Sequence, residues 1–223
     1  MAVVMPRVPE PEVMDDPAQA LAYARADFAD VNQGFAGGLL ARYPDLATGR
    51  VVDLGCGPGD IPIRLARLAP GLAVIGIDAS LPMLRLGCAA VRAAGAGDRV
   101  RLVCARLPHV PLADGRAEAI VSNSLLHHLP DPMLLWTSLP RLGRPGAAVH
   151  VMDLFRPDSV EQARRIVQSA AGAADPLLEQ DFFNSLLAAY TPAEVTGQLA
   201  RAGLSHLACA VVSERHLLVS GRL

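Results

Sequence analysis

Three glycines and two acids mark the part of this chain best suited to holding a ligand. Val51-Val52-Asp53-Leu54-Gly55-Cys56-Gly57-Pro58-Gly59-Asp60 runs from an apolar stretch, through a glycine turn, into helix-forming residues. Glycine lets the backbone turn tightly and lets a ligand approach with no Cβ in the way. The helix start behind the turn offers free N–H groups. A dinucleotide loop has the spacing GxGxxG, and its third glycine would fall where this chain has Asp60. Here the spacing is GxGxG, and Asp53 stands two residues before the first glycine. That extra acid repels a pyrophosphate and attracts a ligand carrying an ammonium and a sulfonium. S-adenosylmethionine is such a ligand. A second apolar run, Val74-Ile75-Gly76-Ile77-Asp78, puts an acid about 20 residues past the glycines, where it accepts hydrogen bonds from ribose hydroxyls in either kind of ligand.

The other candidate chemistry lies in Ser122-Asn123-Ser124-Leu125-Leu126-His127-His128-Leu129-Pro130-Asp131-Pro132. Imidazole is the natural base near pH 7. Adjacent residues point different ways, so His127 or His128, not both, would face a reacting group. The alternative is that both position the loop and the cofactor. No further Cys/His pair sits at ligand spacing, so no metal is expected. The four cysteines, Cys56, Cys88, Cys104 and Cys209, form no CxxC pair and read as small hydrophobes in a reducing compartment.

VVDLGCGPGD, VIGIDAS and VSNSLLHHLPDP resemble the first, second and fourth motifs of the class I S-adenosylmethionine-dependent methyltransferases, nearest the small-molecule group that includes the ubiquinone/menaquinone-biosynthesis type. The resemblance covers residues 17–153 well and the C-terminal third only in topology. It implies that Gly55, Cys56 and Gly57 pack against the methionine part of the cofactor. Asp53 would orient the amino group, Asp78 would hold the ribose, and Ala79 and Met83 would border the adenine. Ser122 and Asn123 of the fourth motif would complete these contacts. Tyr23 would come from an N-terminal helix that lies over the cofactor. Relatives carry an acid after the third strand for the adenine amino group. Here Ala105-Arg106-Leu107 fills that slot, leaving the backbone of Arg106 and Leu107 to hold the adenine, with the Arg106 side chain stacking on it or pointing to solvent.

The elements that must position these groups alternate. Strands are expected at 50–54, 72–77, 100–104, 117–121 and 147–153, with helices at 60–68, 80–94 and 132–142. Alternation of this kind implies a parallel sheet with helices on both faces. Helices at 159–171 and 176–189 follow. Thr191-Pro192-Ala193-Glu194 is a capping box opening another helix that ends at Gly203. Strands at 207–212 and 215–220 form a hairpin that gives an antiparallel edge. The expected fold is therefore α/β: a doubly wound, mostly parallel seven-stranded sheet with an antiparallel C-terminal hairpin strand. Leu21, Ala24, Phe28, Val31 and Phe35 form a stripe at helical spacing from Pro17 on, with Tyr23 and Asp27 sharing a face. Gly34, Gly37 and Gly38 predict a break in it. Residues 1–16 read as a flexible arm and 17–223 as one domain, with a helical lid at 17–45 and a helical insert over the methyl-acceptor site at 154–190. Arg156, just past a strand end, is placed to clamp a carboxylate or to pair with Asp158 or Glu161. Phe182 and Phe183 are candidates for a substrate cap or for a helix core. His216 reads as structural.

Composition bounds the function. With 223 residues and 52% hydrophobic against 19% charged, the chain buries one large core and is not disordered. All 20 basic residues are arginine, so there is no lysine for a Schiff base. A net charge of −2 gives no basic footprint for nucleic acid. No apolar run reaches the length of a membrane span, and the first residues lack a secretory pattern, so a cytoplasmic location is expected. The expected activity is methyl transfer from S-adenosylmethionine to a small molecule, by a monomer or homodimer with no nucleic-acid or membrane partner. The alternatives are a non-catalytic cofactor-binding protein of the same fold, or a protein or nucleic-acid methyltransferase.

Overall fold

Seven extended runs build one sheet in the computed structural model, which describes residues 5–10, 14–171 and 176–223. Parts of the expected arm (1–4 and 11–13) and of the expected insert (172–175) lie outside the described residues. The strands are β1 (Thr48–Leu54), β2 (Gly71–Asp78), β3 (Val100–Cys104), β4 (Ala117–Asn123), β5 (Gly143–Leu154), β6 (Ala208–Val211) and β7 (His216–Arg222). Their order across the sheet is β3-β2-β1-β4-β5-β7-β6. The first five are parallel, whereas β7 runs antiparallel between β5 and β6. The winding direction reverses between β1 and β4. In open α/β sheets, ligands bind beyond the carboxyl ends of strands at such a point.

The helices are α1 (Pro17–Arg25), α2 (Ala29–Arg42), α3 (Asp60–Leu68), α4 (Leu81–Ala93), α5 (Met133–Leu142), α6 (Val160–Ala171), α7 (Pro176–Ala188) and α8 (Pro192–Arg201). Side chains alternate across the pleat, so each strand feeds two cores. Val51, Val74, Val121 and Ala148 pack with Phe35 and Leu39 of α2 and with α3. Val52, Ile77, Ile120, Val149 and Val151 pack with Trp136 and Leu139 of α5 and with Val195 and Leu199 of α8. Leu154, Ile166, Val167 and Leu186 form a smaller cluster under α6 and α7. Local signals set the helix starts. Asp16 accepts hydrogen bonds from Ala18 N and Gln19 N, Ser80 caps α4, and Thr191 and Glu194 cap α8 reciprocally.

The N-terminal helix departs from expectation. The break falls at 26–28, not at the glycines. Ala26 is extended and Asp27 Oδ1 accepts from Ala29 N at 3.1 Å, which starts a new helix. α2 then runs through Gly34, Gly37 and Gly38. A Cβ on Gly38 would stand 3.8 Å from the His150 ring, and Phe35 stacks on the same ring with centroids 4.8 Å apart, so the approach to β5 offsets the poor helix propensity of glycine. Because the helix breaks, Tyr23 and Asp27 do not share a face. Tyr23 stacks on Phe28 instead, with centroids 4.9 Å apart. Leu21 and Phe28 leave the core, with 37% and 36% of their surface exposed.

Trp136 is fully buried, and its indole N–H donates to Gln198 Oε1 at 2.9 Å, tying α5 to α8. Trp136→Ala is expected to cost about 3–5 kcal/mol by leaving a cavity, and it also strands the buried Gln198 amide. Thermal unfolding checks this as a clear drop in Tm.

Candidate active site

The carboxyl ends of the parallel strands open into one cavity of about 1140 Å³. That exceeds the usual size of a small-molecule pocket and leaves room for two ligands. Each parallel strand delivers wall residues at its end: Gly55 and Gly57 after β1, Asp78 on β2, Ala105 to Leu107 after β3, Asn123 to Leu125 after β4, and Leu154 on β5. Tyr23, Phe28 and Asn32 close one side, and Phe182 and Ser185 of α7 close another.

Within the glycine turn, Gly57 has φ +51, and a Cβ there would meet nothing within 4 Å. The turn thus presents bare backbone to the cavity in a conformation that side chains disfavour. Gly57 N–H donates to Asp78 Oδ2 at 2.7 Å, and Ser80 N–H donates to Asp78 Oδ1 at 2.8 Å. These two bonds, with a third backbone contact from Ala79, aim the Asp78 carboxylate. Burial still raises its pKa, against the lowering effect of those backbone N–H groups. Asp53 is more extreme. It is buried, and neither carboxylate oxygen has a hydrogen-bond partner among the described residues. Burial first, and the Asp78 charge second, push its pKa up to about 8. A carboxylate placed this way is completed by a cation.

Three of the expected cofactor residues, Asp53, Cys56 and Ser122, lie behind the wall and do not line the cavity. A Cβ on Gly76 would stand 2.7 Å from the Cys56 sulfur, so the thiol packs on β2. Burial pushes that thiol well above its ordinary pKa. Ser122 is buried and donates to Leu54 O at 2.7 Å, bracing β1 against β4. Ala79, Met83, Arg106, Leu107, Asn123 and Tyr23 all line the cavity. Asn123 donates to Asn32 Oδ1 at 3.3 Å, and Asn32 donates to Asp60 Oδ2 at 2.9 Å, which links the fourth-strand loop to α2 and α3. Burial, followed by the charges of Asp78, Asp153 and Asp60, pushes the Tyr23 phenol up to about 12, so it stays protonated.

The two histidines are unlike. They lie on a 3-10 turn, Leu126–His128, with ring centroids 4.2 Å apart. His127 is buried, and its Nδ1 sits 2.5 Å from Asp153 Oδ1. The other Asp153 oxygen accepts from Leu126 N at 2.6 Å. His127 Nε2 therefore faces Glu10 Oε1 at 3.5 Å, and His128 Nδ1 faces the same oxygen at 3.2 Å. Burial lowers the His127 pKa, but the Asp153 and Glu10 carboxylates overcome it and hold the pKa above the ordinary value. Glu10 is itself raised, mainly by burial. Arg7 pins this segment, donating to Ala188 O, His127 O and Leu129 O at 2.5, 2.8 and 3.2 Å and stacking on Tyr190.

Asp153 and Glu10 were missed from sequence. Asp153 had a signal, being an acid at the carboxyl end of a strand, as Asp78 is. Glu10 had none. Arg156 is no clamp and does not pair with Asp158 or Glu161. It is buried, donating to Ala189 O and to Glu194 Oε1, both at 2.8 Å.

Residues 51–146 match the family model described as a methyltransferase domain. The chain is similar to the demethylmenaquinone methyltransferase of Lactiplantibacillus plantarum, 37% identical over 48% of this chain and 46% of that protein. It is also similar to the trans-aconitate 2-methyltransferase of Methylobacterium nodulans, 35% identical over 65% of this chain and 53% of that protein. The chain thus spans about half the length of the curated relatives it matches. In fold it is similar to a SAM-dependent methyltransferase from Aquifex aeolicus, with TM-score 0.67 at 18% identity, over 93% of this chain and 98% of that one. S-adenosylmethionine is the cofactor this fold implies, and the residues present fit it. An unpartnered buried acid suits an ammonium, bare glycine backbone suits close approach, and an aimed carboxylate suits a diol. A pyrophosphate would instead meet Asp60 at the start of α3.

Asp78→Ala removes an acceptor of charge-assisted hydrogen bonds, worth about 1.5–3 kcal/mol. Affinity for S-adenosylhomocysteine, read by calorimetry, is expected to fall roughly ten- to hundredfold, with circular dichroism unchanged.

Proposed function

We propose that this chain, whose fold and central segment are those of the class I S-adenosylmethionine-dependent methyltransferases, transfers a methyl group from that cofactor to a small molecule. The observation that carries the reading is the buried, unpartnered Asp53 behind the glycine turn, on the same strand end that opens into the cavity. Asp53 would hold the cofactor's amino group, Gly55 and Gly57 its methionine part, and Asp78 its ribose. Ala79, Met83, Arg106 and Leu107 would border the adenine, with Tyr23 and Asn123 closing over the middle. Cys56 and Ser122 support the turn and the strand rather than touch the ligand. Bound S-adenosylmethionine supplies an electrophilic methyl group on a positively charged sulfur.

The remaining wall is the methyl-acceptor side. Leu154, Leu178 and Phe182 make much of it apolar, Glu10 and Asp181 are acids on it, Arg215 adds one cation, and Asp153 stands behind His127. This lining favours an uncharged, largely apolar molecule bearing a hydroxyl, a thiol or an acidic carbon, over a polyanion. In-line displacement depends mostly on alignment, and these walls supply it by position. Of the two histidines, His127 is the electron-pair donor toward the methyl acceptor. Asp153 holds its tautomer, so Nε2 is the nitrogen that faces the cavity, and a proton taken there is stabilised by Asp153 and Glu10. His128 positions the loop. The α1–α2 segment acts as a lid, and α6 and α7 cover the methyl-acceptor site.

Transfer of isotope-labelled methyl from S-adenosylmethionine into a panel of phenols, thiols and quinols tests the activity. His127→Asn is expected to lower the rate about 10²–10⁴-fold while leaving S-adenosylhomocysteine affinity within about twofold. An equal loss of both would assign His127 to the cofactor side.

A further inference from the structure

We propose that Glu10, His127 and His128 form a site for a divalent transition-metal ion of the zinc class. Glu10 lies on the arm, and the histidines lie on the turn after β4, so only the fold brings them together. Their ligating atoms all fall within 4.8 Å of one another. Glu10 Oε1 stands 3.5 Å from His127 Nε2 and 3.2 Å from His128 Nδ1. Ligand bonds of about 2.0–2.1 Å in a tetrahedron put neighbouring ligand atoms about 3.4 Å apart. Two of the three edges therefore match a tetrahedral site, and the third, between the histidines, is within 4.8 Å.

The surroundings fit as well. His127 turns its other nitrogen to Asp153 at 2.5 Å, and Asp153 in turn accepts Leu126 N–H. A carboxylate behind a ligating imidazole sets the tautomer and raises ligand basicity. Ser185 donates to Glu10 at 3.0 Å and orients it. Glu10 and Asp153 together bring two negative charges into a largely buried place, which a divalent ion balances. Two imidazoles and one carboxylate suit zinc, iron(II), cobalt(II) or nickel(II) better than magnesium or calcium. All three residues line the cavity, so a fourth position opens to a ligand. Three protein ligands with one open position is the pattern of reactive rather than structural zinc.

Within the function proposed above, the ion would take the oxygen or sulfur of the methyl acceptor as its fourth ligand. The bound hydroxyl or thiol would release its proton to water, and the remaining lone pair would face the methyl group. The ion and a proton compete for His127 Nε2, so with the ion bound His127 acts as a ligand and water takes the proton, whereas in the metal-free protein Nε2 takes it.

The test uses the full chain, stripped with a chelator and titrated with Zn²⁺ in excess Mg²⁺. One Zn²⁺ per chain is expected, with affinity reduced at least tenfold in Glu10→Gln and in His128→Ala, and about 10–100-fold in Asp153→Asn. Co²⁺ in its place is expected to give the strong visible bands of a tetrahedral site, lost in His128→Ala. No stoichiometric Zn²⁺ uptake, or equal affinity in parent, Glu10→Gln and His128→Ala, would overturn the site. S-adenosylhomocysteine binding is measured in parallel. Its absence beside Zn²⁺ uptake contradicts the methyl-transfer reading and leaves the metal site standing.

Discussion

A carboxyl group buried without a partner governs this molecule. Taking an ionised carboxylate out of water costs several kcal/mol unless charge or hydrogen bonds replace the water. Asp53 has neither, and Asp78 nearby adds repulsion. The free protein keeps such a group by holding its proton. A cationic ligand would let the proton go and supply the missing partner. The glycine turn, the close packing of Cys56 on Gly76, and the Ser122 bond to Leu54 O all serve to hold that carboxyl where a ligand can reach its neighbourhood.

The sheet supplies the rest of the placement. Reversal of the winding between β1 and β4 opens the crevice, and the strand ends aim a different group into it: bare backbone from β1, a carboxylate from β2, and an amide and two imidazoles after β4. Asp153 of β5 stands behind His127 rather than in front of it. Two pairs of acids therefore mark the two sides of the cavity: Asp78 on the wall with Asp53 behind it, and Glu10 on the wall with Asp153 behind His127.

Most of this architecture was legible because its signals are local. Alternating apolar runs gave the strands, Asp16, Ser80 and Thr191 marked helix starts, and the glycine spacing with Asp53 and Asp78 gave the ligand. What failed was tertiary. Three glycines promised a break in α2, yet packing of Phe35 and Gly38 against His150 carries the helix through them. Arg156 looked available in sequence, but burial gave it to Glu194. Glu10 could not be found at all, since its meeting with His127 spans more than a hundred residues of chain and depends on Arg7 gripping backbone carbonyls.

The most direct test of the account is the proton balance of cofactor binding. S-adenosylhomocysteine is titrated into the protein at pH 7 in buffers of different ionisation enthalpy. In the free protein Asp53 has a pKa of about 8 and is mostly protonated at that pH. A bound ammonium favours the ionised form and lowers that pKa, so close to one proton is released. Affinity then rises with pH up to about 8, and Asp53→Asn loses both the release and the pH dependence. A binding heat independent of buffer, or proton release unchanged in Asp53→Asn, would contradict the claim that this buried acid is the cofactor's anchor.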